Sequence, residues 1–111
     1  MLFGRRVFIA ATVLAALAMS TVTAEAQDRR VTIINDTGYT IVEFYGSNEG
    51  SDSWEEDILG TDVVPTGTTV NINFDDGSGY CMFDFKAVFS DGDVLERRGV
   101  DVCTTSTYTY Q

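Results

Sequence analysis

The sequence predicts an all-β domain: a small antiparallel β-sandwich or partly open barrel of six to seven short strands with one disulfide. Three observations predict it. Tyr80 to Phe89 alternates in period two, with Cys81, Phe83, Phe85, Ala87 and Phe89 on one face and Met82, Asp84, Lys86 and Val88 on the other. Gly, Asp, Asn and Ser punctuate the chain at the spacing of about 8–12 residues expected of sandwiches and barrels. Only two cysteines occur, Cys81 and Cys103, and in a small exported domain the default for such a pair is a disulfide.

The elements follow in order. Val31 to Ile34 reads as a strand, Asn35-Asp36-Thr37-Gly38 as a turn, and Thr40 to Tyr45 as a second strand returning antiparallel in a first hairpin. Gly46 to Ser53 is a surface loop. Ser53-Trp54-Glu55-Glu56 has the spacing of a helix capping box, which predicts one helical turn through Ile58 and no longer helix. Val63 to Gly67 is a short extended piece closed by a turn. Thr69 to Phe74 alternates again, Val70, Ile72 and Phe74 facing inward, and Asp75 to Gly79 is read as a hairpin loop leading into the strand of Phe83. Asp91-Gly92 is a tight-turn pair, so Val94 to Val100 is the partner strand, with Glu96, Arg97 and Arg98 at an exposed edge. Thr105 to Tyr110 is the last strand, its tyrosines Tyr108 and Tyr110 capping the core.

The domain is preceded by an export signal. Arg5 and Arg6 precede an apolar run of 13 residues, Val7 to Met19, and Ala24-Glu25-Ala26 supplies the small residues read by a signal peptidase. A membrane span needs roughly 20 apolar residues, so a cleaved signal peptide over 1–26 is expected, leaving a domain over 27–111 with no membrane anchor. Arg5-Arg6-Val7-Phe8-Ile9 resembles the twin-arginine export motif, although Gly4 and Ala10 depart from it. Both that route and the general secretory route, which a disulfide slightly favours, lead to a periplasmic or secreted location.

Without residues 1–26 the chain carries 16 acidic side chains against 5 basic ones. Such a surface repels nucleic acid and anionic lipid and suits cations or a cationic protein partner. Plentiful aromatic and β-branched residues exclude a disordered acidic chain.

No histidine occurs, which removes Ser-His-Asp and Cys-His nucleophile systems and imidazole metal sites. No Gly-rich phosphate loop precedes a helix, and a domain this small leaves little room for a glycosidase cleft, so no enzymatic activity and no catalytic residues are expected. Calcium is the one cofactor the sequence suggests, because Asp75, Asp76, Asp91 and Asp93 put carboxylates on turns. Asp52 with Glu55, Glu56 and Asp57 forms a third acidic group. The EF-hand template fails when laid on Asn71-x-Asn73-x-Asp75, since position six is Asp76 and position twelve Met82. Turn formation in water is the simpler role of these acids. Trp54, alone of its kind and flanked by Glu55, Glu56 and Asp57, marks a candidate partner-binding surface; capping the core is the preferred role of its ring.

Asn35-Asp36-Thr37-Gly38-Tyr39-Thr40-Ile41, Trp54 followed by Asp57-x-Leu59-Gly60, Pro65-x-Gly67, Cys81-x-x-Asp84, Asp91-Gly92 and Val100-Asp101-Val102-Cys103 together resemble a group of small exported bacterial β-domain proteins of uncharacterised role. The resemblance implies an exported β domain and, with no function established for the group, no active residues; the residues themselves lead to the expectation of a non-enzymatic binding or accessory module. Two sharper roles compete: a calcium-binding module, and an acidic binder or inhibitor of a cationic secreted protein.

Overall fold

The computed structural model describes residues 28–111; the expected signal segment 1–26 lies outside them. Six strands form in chain order: β1 (Arg30–Asn35), β2 (Ile41–Asn48), β3 (Thr69–Asn73), β4 (Met82–Phe89), β5 (Val94–Asp101) and β6 (Thr107–Tyr110). They make two three-stranded sheets, ordered β3-β1-β6 and β2-β4-β5. The result is an all-β sandwich, not a closed barrel.

The alternation read from the sequence places the core correctly. β4 buries Phe83, Phe85, Ala87 and Phe89, while β1 supplies Val31 and Ile33 and β3 supplies Ile72. Edge-to-face and stacked rings fill the space between the sheets, with Phe85 against Phe44 at 5.3 Å, Phe74 at 4.9 Å and Tyr108 at 5.5 Å. Tyr110 is buried and Tyr108 packs against the same cluster, so both tyrosines close the core as expected.

Two expected hairpins are not formed. β1 and β2 lie in different sheets, as do β3 and β4, so Asp36–Thr40 and the Asp75–Gly79 loop are crossings between sheets. β1 instead pairs antiparallel with β3 and parallel with β6, the latter aligning Ile33 with Tyr108. Asn35 is the physical reason at the first crossing. Fully buried, it donates from its side-chain amide to the carbonyls of Tyr39 (2.7 Å) and Val64 (2.8 Å) and accepts from the Thr37 hydroxyl (2.7 Å). These bonds hold the chain as an arch where a hairpin would need cross-strand backbone pairing. The helical turn expected from Ser53 is also absent: no helix occurs among the described residues, and Glu55 takes φ 68°, a left-handed conformation that breaks any helix there.

β4 and β5 do form the hairpin expected from Asp91-Gly92, and β5 is the exposed edge of its sheet. Cys81 and Cys103 are joined as a disulfide, which ties the start of β4 to the segment that crosses from β5 to β6. The bond suits an oxidising, non-cytoplasmic compartment. No helix among the described residues is long and apolar enough to cross a membrane.

Candidate functional site

The outer face of the β2-β4-β5 sheet carries a connected set of charged, hydroxyl and aromatic side chains. Cross-strand register sets Tyr45 beside Lys86 and Ser47 beside Asp84 on that face, opposite the core. At the far edge, Phe83 pairs with Val100 and Phe85 with Arg97, so Arg98 and Gly99 together oppose Asp84 in a β-bulge. Gly99 takes φ 74°, a left-handed conformation that glycine adopts without a Cβ clash. The Asp84 carboxylate holds the bulge by accepting from the Gly99 amide at 2.9 Å and from Arg98 at 3.1 Å. Arg98 also reaches Glu96 at 3.1 Å. The hydrogen bond to Asp84, helped by the charges of Asp84 and Glu96 and opposed by desolvation, raises the Arg98 pKa above its ordinary value.

Over this face lies the loop after β2. Its fold is local: Gly50 donates to the Asn48 side chain at 3.0 Å, and the single proton of the Ser51 hydroxyl is shared between the Ser53 carbonyl (3.0 Å) and the Glu55 carboxylate (3.1 Å). The Asp57 carboxylate pins the far end by accepting from the amides of Phe44 (2.9 Å) and Leu59 (3.0 Å). The loop thus seats Trp54 on the sheet, not in the core. Its ring is approached by Arg98 at 4.9 Å and by Lys86 at 5.2 Å, and Lys86 lies also over Tyr45 at 4.7 Å. This corrects the preferred core-capping role of Trp54: the indole faces the guanidinium of Arg98 and the ammonium of Lys86 instead.

Between loop and sheet is a cleft of about 140 Å³ lined by Ser47, Ser51, Asp52, Ser53, Trp54, Asp84 and Arg98. Ser47 faces outward in the register yet is only 4% exposed, because the loop lies over it. Its hydroxyl has no protein partner. The other buried hydroxyl without one among the described residues belongs to Tyr110, inside the aromatic core. Nothing in the sequence singled out Ser47 or Arg98 for this cleft; the signal available was Gly99, an isolated glycine inside a strand pattern, which marks a bulge.

The acidic residues divide between two ends of the molecule. Asp75 and Asp76 precede β4, and Asp91 and Asp93 follow it, so a strand about 24 Å long separates the two candidate calcium pairs. Each is engaged in a local turn: Asp75 accepts from Gly77, Asp76 from Ser78, and Asp91 from Asp93. Asp76 also accepts from Asn48 at 2.9 Å, tying its loop to the end of β2. Partial burial opposes ionisation of Asp76, but the hydrogen bonds from Ser78 and Asn48 outweigh it and lower its pKa. That tie brings Asp76 to a second cleft of about 170 Å³ shared with Glu55 and Glu56. Among the described residues, the one metal-type cluster within 4.8 Å is Cys81, Asp101 and Cys103, whose sulfurs are already bonded to each other.

Compared with known protein families, characterised proteins and solved structures, the chain matches none.

Proposed function

We propose that this chain is an exported, non-catalytic binding module, and that the cleft beneath Trp54 holds a small polar ligand. The observation that carries the reading is the Ser47 hydroxyl, buried without a partner in the wall of a cleft that also offers a guanidinium, two carboxylates and an indole. A buried hydroxyl without a partner costs about 1–3 kcal/mol, which a ligand hydrogen bond would recover. Export rests on the features of residues 1–26 and is supported by the disulfide. The test uses protein purified after export, whose intact mass should correspond to cleavage after Ala26. Trp54, the sole tryptophan, reports on the cleft by its fluorescence. A mixed panel of small neutral sugars, amino acids and dicarboxylates should contain a compound that shifts this emission saturably, with the shift lost in Ser47→Ala. If the whole panel leaves the emission unchanged, the cleft is not the binding site.

A second reading, an acidic surface for a cationic secreted protein, is supported by the meeting of Glu55, Glu56 and Asp76 in one cleft. Binding of this kind weakens as salt screens charges beyond about 8 Å. A basic lysozyme immobilised at low salt should retain the protein and release it at high salt, and Glu55→Gln with Glu56→Gln should lower retention. Equal retention by the double variant would remove this reading.

A further inference from the structure

Resting on the Trp54 cleft as a binding site, we infer that its ligand is a neutral polyhydroxyl ring, a single sugar unit. Charge is the first discriminator. The ionic groups around Trp54 are of both signs, Arg98 and Lys86 among Asp84, Asp52, Glu55 and Glu96, and Arg98 is already bonded to both Asp84 and Glu96. An anionic ligand would have to compete with Asp84 and Glu96 for the guanidinium, and a cationic one would be set beside Arg98 and Lys86. A neutral ligand needs neither pair to open.

Hydrogen-bond capacity is the second. Sugar hydroxyls donate and accept at once, and the lining matches them: Asp84 and Asp52 accept, Arg98 donates, and Ser47, Ser51 and Ser53 do both. The Asp84 carboxylate spends one oxygen on Gly99 and the other on Arg98, and a carboxylate has about four lone-pair sites, so it keeps accepting capacity. Shape is the third. The C–H face of a pyranose is apolar, and Trp54, the one aromatic side chain of the lining, gives it an apolar wall beside the polar groups. A cleft of about 140 Å³ takes one ring, well below the roughly 300–1,000 Å³ of sites for drug-sized ligands.

The experiment compares one ring in three charge states. Glucose, glucuronate and glucosamine are titrated against Trp54 fluorescence, with galactose, N-acetylglucosamine and chitotriose as further neutral probes. At least one neutral sugar should bind with a Kd of about millimolar order, as weak single-ring contacts give. It should bind at least three-fold more tightly than its charged counterpart. Ser47→Ala should weaken it about ten-fold while leaving the thermal midpoint unchanged or higher, because the variant removes an unpartnered buried hydroxyl. Trp54→Ala, followed by calorimetry, should abolish binding. A charged compound binding more tightly than every neutral sugar would overturn the inference and leave the binding site standing. Silence from all sugars, with a response to amino acids or dicarboxylates, would overturn it in the same way. Silence from every probe would overturn both.

Discussion

Asn35 and Tyr45 show how much single polar side chains decide in this domain. Asn35 is invisible as a core residue in the sequence, where it reads as the first residue of a turn, yet its amide satisfies two carbonyls and its oxygen accepts from Thr37. Asn35→Ala leaves buried groups without partners and should destabilise the fold by about 2–4 kcal/mol in urea denaturation. Asn35→Asp, which keeps the acceptor and loses both donors, should cost a similar amount. Tyr45 donates to Glu43 at 2.7 Å, and this bond, with some burial, pushes its pKa up to about 12. A folded pKa raised above the ordinary value of about 10 contributes stability that is present below pH 10 and lost as pH rises toward 12. An absorbance titration should show one tyrosine ionising near pH 12, and that step should vanish in Tyr45→Phe.

At the scale of elements, β4 and β5 were legible almost residue by residue, because alternation and an Asp-Gly turn are local signals. The bulge at Arg98 and Gly99 was not drawn from the sequence, although it decides where Arg98 points. Gly99→Ala puts a Cβ on a backbone at φ 74° and should cost about 1 kcal/mol or more. It should also shift Trp54 emission, because Arg98 and Asp84 move with the bulge; unchanged emission would mean that the guanidinium is placed by other contacts. Gly46 decides packing on the inner face of β2 in a different way. A Cβ there would run into the Phe74 ring, which is itself packed against Phe83 and Phe85. Its place within a loop-like Gly-Ser-Asn stretch hid that role, and β2 runs three residues further than the alternation suggested, to Asn48.

Across the whole molecule, the disulfide closes a separation of 22 residues and should contribute about 3 kcal/mol by restricting the unfolded chain. Reduction should therefore lower the thermal midpoint by roughly 10–20 °C, while a Cys81→Ala, Cys103→Ala variant should melt at the reduced value with or without reductant. The sequence by itself determined the all-β class, the cysteine pairing, the inward faces of β3 and β4, and the closing role of Tyr108 and Tyr110. Each of those follows from local alternation or from a choice with one alternative. Only the tertiary structure decided that β1 pairs with β3 and β6 instead of β2, and that Trp54 lies on the sheet above Ser47. The physical reason is that period-two alternation tells which side of a strand is buried, but not which strand lies beside it. Pairings such as Ile33 with Tyr108 join residues far apart in the chain and are selected by how both sheets pack. Ser47 is the sharpest instance: its outward register is a local fact, and its burial depends on a loop that folds back over it.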